Sequence, residues 1–86
     1  MSHEQILLYP VVTEKTVKMI ERENKLVFVV TPRSSRQNIA REFERMFNVK
    51  VEKVNTARGP DGKKIAFIKL AEGHNASDIS VRLKIL

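Results

Sequence analysis

The sequence predicts an α+β fold, in which helices pack on a four-stranded mixed, mostly antiparallel sheet with the strand order 1-2-4-3. Three observations support this. The chain of 86 residues is long enough for one domain and too short for two hydrophobic cores. Strand-like and helix-like hydrophobic patterns alternate along it. Residues 49–70 read as two strands that are joined by a short turn, so the chain reverses there.

The topology follows from the order of these elements. The second predicted strand, residues 26–30, precedes a long helix, and the third begins at Val49. These two strands must be parallel, with a right-handed crossover. The hairpin sends the fourth strand back between them, and residues 6–9 supply a short edge strand that is stopped by Pro10. The result is a split βαβ, ferredoxin-like arrangement, and residues 1–86 are predicted to form a single domain.

Capping residues mark the predicted helices. Thr13 is suited to start the first helix, and Asn24 is suited to end it in the left-handed conformation. Ser34 or Ser35 caps the second helix, and only the Ser34 choice matches the capping-box pattern. Asn75 or Ala76 opens a short final helix. The second helix carries a predicted core stripe, formed by Ile39, Ala40, Phe43, Met46 and Phe47.

The hairpin carries an alternating pattern. Ala66, Ile68 and Leu70 fall on one face of the returning strand, which is the predicted core face, while Ile65, Phe67 and Lys69 fall on the other. On the outgoing strand the alternation slips between residues 52 and 54, which a bulge or a strand covered on both faces would explain. The turn is expected at Pro60-Asp61-Gly62, with Gly62 in the left-handed conformation.

Composition narrows the function classes. Sixteen Lys and Arg against ten Asp and Glu give a net charge of +6, which favours a polyanionic partner. The chain has no cysteine, hence no disulfide or thiolate metal site, and no apolar run near the roughly 20 residues that span a bilayer. We therefore expect a cytoplasmic protein without membrane insertion.

Catalytic patterns are not evident. His3 and His74 have no nucleophile or carboxylate at a recognisable spacing, and no glycine-rich phosphate loop occurs. An acylphosphatase-like enzyme would share the topology, but the Gly-Arg-rich cradle after the first strand is missing. The sequence thus predicts no enzyme, no catalytic residue, no metal and no cofactor.

Basic residues instead form three groups that could bind phosphate. Arg33 and Arg36 flank the two serines at the start of the second helix, where free backbone N–H groups favour anions. A second group surrounds the first helix and the strand after it, namely Lys15, Lys18 and Lys25. The third lies on the hairpin, namely Arg58, Lys63 and Lys64. Three such groups on one small domain indicate a long polyanion.

Residues 63–70 (KKIAFIKL) partly resemble the first RNA-contact motif of the RNA recognition motif family, in which Phe67 would stack on a base. Lys64 replaces the motif's glycine, Ile65 replaces an aromatic residue, and no final strand follows the last helix. A single-stranded RNA binder that uses Phe67 is therefore kept as the alternative.

A wider resemblance is carried by residues 10–15 (PVVTEK), 24–30 (NKLVFVV), 47–51 (FNVKV), 54–56 (VNT) and 63–70. In order, spacing and total length these motifs resemble the large-subunit ribosomal protein twenty-three family, from about Leu7 to Leu83. The resemblance implies a structural constituent of the ribosome that binds large-subunit ribosomal RNA in domain III, beside the polypeptide exit tunnel. It also implies contacts with neighbouring ribosomal proteins and docking of the signal recognition particle, the Sec translocon and, in bacteria, trigger factor. The free protein is expected to be a monomer.

The same resemblance implies roles for single residues. Thr13 and Lys15 are expected to face RNA, as are Asn55 and Thr56, whereas Glu14 resembles an exposed acid that meets cationic docking factors. The complete predicted RNA-binding set is Thr13, Lys15, Lys18, Lys25, Arg33, Arg36, Asn55, Thr56, Arg58, Lys63, Lys64, Phe67 and Lys69.

The hairpin departs from the bacterial members, which extend it into a long basic loop. Here only residues 57–62 are expected between the strands. The chain therefore resembles the archaeal form, and contact with the nascent chain deep in the tunnel is not expected.

Overall fold

The computed structural model of the chain describes residues 5–59 and 61–84, so the predictions for His3 and Pro60 lie outside the described residues. The elements follow one another as β1 (Leu7–Pro10), α1 (Glu14–Glu23), β2 (Lys25–Val30), α2 (Arg36–Phe47), β3 (Val51–Arg58), β4 (Lys64–Leu70) and α3 (Ala76–Arg82).

The sheet has the predicted order β1-β2-β4-β3. All three neighbouring pairs are antiparallel, so no parallel pair occurs among these four strands. β2 and β3 run in the same direction, as the crossover through α2 requires, but β4 lies between them. The α+β architecture is therefore confirmed. β2 and β3 are parallel in direction, as predicted, but they do not pair with each other.

The hydrophobic core lies between the helices and one face of the sheet. β2 contributes Leu26, Phe28 and Val30, and β4 contributes the predicted Ala66, Ile68 and Leu70, all of them buried. The helices supply the facing side chains Ile20, Ile39, Phe43, Phe47 and Ile79. Because strand side chains alternate, the residues between these positions lie on the opposite face, which none of the described helices covers. We call this the open face.

One residue of the predicted core stripe on α2 is exposed. Met46 on α2 is 46% exposed, whereas Phe43 is fully buried against Phe28 with ring centroids 5.9 Å apart. Residues four apart on a helix advance by more than one turn, so a stripe with that spacing rotates by about 40° at each step. Toward the end of α2 this rotation carries the buried side away from Met46, and the prediction for that residue was wrong.

The helix ends are made by local hydrogen bonds. The Thr16 N–H donates to the Thr13 hydroxyl oxygen at 3.2 Å, and the Thr13 N–H donates to the Thr16 hydroxyl oxygen at 2.8 Å, which forms a capping box. Asn24 ends α1 with φ 57°, as predicted. Of the two candidate serines it is Ser35 that caps α2, by accepting from the Asn38 N–H at 3.1 Å.

The hairpin contains the predicted irregularity. Val51 pairs with Leu70 and Lys53 pairs with Lys69, so Glu52 is the additional residue of a bulge. β3 begins at Val51 and not at Val49, because the chain first leaves the left-handed Asn48 that ends α2. It also extends through Arg58, so the connecting loop is 59–63 rather than the expected 57–62. Gly62 has φ 76°, as the turn prediction required.

Candidate nucleic-acid interface

The structure brings two of the predicted basic groups to one end of the sheet. Val30, Lys64 and Arg58 lie side by side on β2, β4 and β3, so the loop that follows Val30 lies beside the hairpin residues. The Lys64 ammonium donates to the backbone carbonyl groups of Pro32 and Ser34 in that loop. Since the loop leads directly into α2, these bonds hold Lys64 next to the segment that carries Arg33 and Arg36.

A cleft of about 330 Å³ lies at this end of the sheet. It is lined by Pro32, Thr56, Ala57, Arg58, Gly62 and Lys64. We call the cleft together with Arg33 and Arg36 the basic end.

The charge of the basic end is weakly compensated. Arg33 and Arg36 are exposed, and neither forms a hydrogen bond or ion pair with another described residue. The first turn of α2 contains no acidic residue, so the N–H groups and dipole of the helix add to the positive field. Arg58 donates to the Gly62 carbonyl group at 3.3 Å and lies opposite Lys64 on the neighbouring strand. This arrangement suits a polyanion, because several cations face solvent without a carboxylate among them.

The open face carries a second positive feature. The pairing register places Lys25, Lys69 and Lys53 next to one another on β2, β4 and β3, and we call these three residues the lysine row. Lys25 lies 3.2 Å from a Glu23 carboxylate oxygen, and Lys69 lies 3.8 Å from one of Glu52.

The next row of the open face is formed by Val27, Phe67 and Asn55. Val27 is 3% exposed, Phe67 is half-buried in the centre of the sheet, and Asn55 is exposed. An aromatic ring is thus accessible between a buried aliphatic side chain and a polar amide, as the alternative prediction for Phe67 expected.

Lys63 lies at the end of the open face that is opposite the lysine row. Its ammonium donates to the Tyr9 hydroxyl at 2.7 Å and stands 5.4 Å from the centre of the Tyr9 ring. The hydrogen bond to Tyr9 raises the pKa of Lys63 above its ordinary value. It lines an apolar groove together with Val29 and Ile65.

Some predicted partners are separated. Asn55 and Thr56 were expected to act as a pair, but Asn55 points to the open face and Thr56 lines the cleft, because neighbouring strand residues face opposite sides. Lys25 was grouped with Lys15 and Lys18, yet it belongs to the open face while α1 packs on the other side of the sheet.

The start of α1 forms a separate exposed site. The Thr13 hydroxyl is engaged in capping, and Lys15 is exposed without a hydrogen-bond or ion-pair partner among the described residues. The Glu14 side chain is 89% exposed and lies 3.7 Å from Lys18. A screened surface pair of this kind contributes little stability, so Glu14 remains available to a partner.

Lys53 was missed by the sequence reasoning. In a regular strand Lys53 would share the core face with Val51, which lies two residues before it. The bulge at Glu52 turns Lys53 to the open face instead. The slip in the hydrophobic pattern was the available signal, but it did not show at which residue the bulge occurs.

Within the described residues, no group of three or more His, Cys, Asp or Glu side chains could hold a metal ion. No described helix is both long and apolar enough to cross a membrane.

The comparisons with known proteins point to one family. A family model described as ribosomal protein L23 matches residues 5–76. The large ribosomal subunit protein uL23 of Methanothermobacter thermautotrophicus is 48% identical over 80 residues, which cover 93% of each chain. The protein of the same name from Pyrobaculum aerophilum is 47% identical over 76 residues, covering 88% of this chain and 94% of its own. The chain therefore belongs to the ribosomal protein L23 family, in its archaeal form, whose members are structural proteins and not enzymes.

Proposed function

We propose that this protein is an RNA-binding constituent of the large ribosomal subunit, which binds domain III of the large-subunit ribosomal RNA beside the polypeptide exit tunnel. A structural role in the large subunit of the cytoplasmic ribosome follows from the family. Contacts with neighbouring ribosomal proteins are implied in the same way.

The observation that carries the RNA assignment is the basic end. It unites two cation groups that are far apart in sequence. Arg58 and Lys64 line the cleft, and the bonds of Lys64 to the Pro32 and Ser34 carbonyl groups join them to the segment that carries Arg33 and Arg36. Charges held in this way on a folded scaffold contact phosphates at defined positions, which gives shape-dependent binding without base reading. Lys15 and Lys18 on α1 would extend the contact along the helix layer.

The docking part of the proposal rests on Glu14. This acid lies in the first turn of α1, and its side chain is almost fully exposed. We infer that it forms part of the docking surface for the signal recognition particle and the Sec translocon, which present cationic surfaces to it. The short loop 59–63 supports a position at the tunnel mouth rather than deep within the tunnel.

The test is binding of the isolated protein to a domain III transcript, compared with an unrelated structured RNA of equal length, across a series of salt concentrations. We expect a preference for domain III that persists at moderate salt, because shaped phosphate contacts add to the general charge attraction. Equal binding to both RNAs that disappears with salt would leave only a generic basic domain.

The second candidate function is single-stranded RNA binding through Phe67, which the accessible ring on the open face favours. Tight binding to short single strands, lost in Phe67→Ala, would support this candidate against the first. We expect the preference for domain III instead. Phe67 is the only aromatic residue in the lysine row and the row next to it, which Val27, Phe67 and Asn55 form.

A further inference from the structure

The lysine row is unfavourable in the free protein. Like charges that lie directly opposite each other on neighbouring strands repel, and strands in a sheet are only about 4.8 Å apart. Here three lysines occupy adjacent positions, so Lys69 has a like charge on each side. Glu23 and Glu52 offset part of this repulsion, but Lys53 has no acidic partner among the described residues. Such an arrangement is relieved by an anion that spans all three strands.

The surroundings of the row indicate which anion this is. Phe67 lies two residues before Lys69 on the same face of β4, at a distance of about 7 Å along the strand. Asn55, directly beside Phe67, has an amide that bonds to no described residue and can both donate and accept. An aromatic ring, an amide and a cation in this order match the base, the base edge or ribose, and the phosphate of one nucleotide.

A paired A-form helix cannot use these groups together, because its bases are stacked inside the duplex. The strand must therefore expose at least one base, as it does in a loop or at a bulge. The open face offers only one ring in the row beside the lysines, so it holds a single base rather than a run of bases.

We propose that the open face is a second RNA-contact surface of this protein, where one unstacked base lies on Phe67 and the adjoining phosphates contact the lysine row. The base edge or ribose faces Asn55. This inference rests on the proposed binding of ribosomal RNA, and it adds Lys53 to the contact residues. It also makes binding depend on an unpaired nucleotide, which the basic end alone does not require.

The test uses the full chain and the domain III transcript, with variants of the open face and matched controls. Phe67→Leu removes the ring but keeps an apolar side chain, whereas Phe67→Tyr keeps the ring. Lys53→Gln combined with Lys69→Gln removes two charges from the row. Arg22→Gln combined with Arg41→Gln removes two exposed charges from helices on the other side of the sheet. Circular dichroism and thermal unfolding check that each variant is folded.

We expect Phe67→Leu to weaken binding by about 5- to 150-fold without changing the salt dependence, because stacking involves no counterion release. Phe67→Tyr should bind like the wild type. The lysine variant should lower the slope of log affinity against log salt by about 1.4 to 1.8, at 0.7 to 0.9 for each contact, while the helix control leaves it unchanged. Chemical probing of the RNA should show an unpaired nucleotide that the wild type protects and Phe67→Leu does not.

The inference is wrong if the wild type prefers domain III but Phe67→Leu and the lysine variant bind like the helix control. A protein or solvent then covers this face instead. If the wild type shows no preference for domain III, the proposed function is wrong and the inference is overturned with it. The two failures are therefore distinguishable.

Discussion

Asn24 and Ala76 are joined across the fold, although 52 positions separate them: the Asn24 side-chain oxygen accepts a hydrogen bond from the Ala76 N–H at 2.7 Å. The Asn24 amide also donates to the His74 carbonyl group at 2.9 Å, and its backbone carbonyl accepts from the Leu70 N–H at 3.1 Å. One residue therefore ends α1, bonds to the last residue of β4 and holds the beginning of α3.

We predict that Asn24→Gly will destabilise the protein by about 1 to 3 kcal/mol, since two side-chain hydrogen bonds are lost while glycine accepts the left-handed backbone. Asn24→Ala should cost about 1 kcal/mol more, because alanine is strained at φ 57°. Urea unfolding of both variants measures the difference. A glycine variant as stable as the wild type would show that the link to α3 contributes nothing.

Core substitutions should separate Phe43 from Met46 on the same helix. Phe43→Ala leaves a cavity between α2 and Phe28 and should cost about 3 to 5 kcal/mol, a large part of the stability of a small domain. Met46→Ala should change the free energy of unfolding by less than about 1 kcal/mol, because that side chain is 46% exposed. Thermal unfolding compares the two variants. Similar losses of stability at both positions would contradict the conclusion that Phe43 is buried and Met46 is not.

The free protein should be stabilised by salt. Its net charge is +6, and the lysine row concentrates part of that charge on one face. Salt screens this repulsion, so the melting temperature should rise between low and moderate ionic strength. Lys53→Gln should raise the low-salt value and reduce the salt effect more than the control Arg41→Gln. Equal melting temperatures of the wild type at both salt concentrations would contradict this prediction.

Charge reversal of the predicted phosphate contacts should weaken binding to domain III. In Lys15→Glu, Arg58→Glu and Lys64→Glu, each lost phosphate contact should lower the salt slope by about 0.7 to 0.9. Arg41→Glu, on the exposed side of α2, serves as the control. Filter binding across a salt series gives the slopes, and an unchanged slope in all three variants would remove these residues from the interface.

Glu14→Ala should reduce docking of the signal recognition particle on assembled subunits and leave RNA binding unchanged. The cost to folding is small, because an exposed acid in a first helical turn contributes about 0.3 to 1 kcal/mol through the helix dipole. Glu21→Ala, an exposed acid further along α1, is the matched control. If Glu14→Ala instead prevented incorporation into the subunit, the separation between docking and RNA contact at Thr13, Glu14 and Lys15 would be wrong.

Much of the fold could be predicted because its signals are local. Alternation on β4 placed Ala66, Ile68 and Leu70 in the core, and Thr13 and Asn24 marked both ends of α1. The α2 cap shows the limit of such signals. Ser34 matched the better local pattern, but it is buried, and its hydroxyl donates to the Thr31 carbonyl group at 2.7 Å, which leaves Ser35 as the cap. A contact made by the preceding loop decided between two adjacent serines.

The sequence by itself determined the elements, their order, the positive charge and the family, because these depend on residue type and spacing along the chain. Tertiary structure alone decided which charges meet. Pairing of β2, β4 and β3 assembles the lysine row from three separate segments, and the bulge at Glu52 turns Lys53 toward it. The contact of Lys64 with the Pro32 and Ser34 carbonyl groups likewise joins the hairpin to the start of α2. Register and loop packing are long-range properties, so a pattern read along one strand does not contain them.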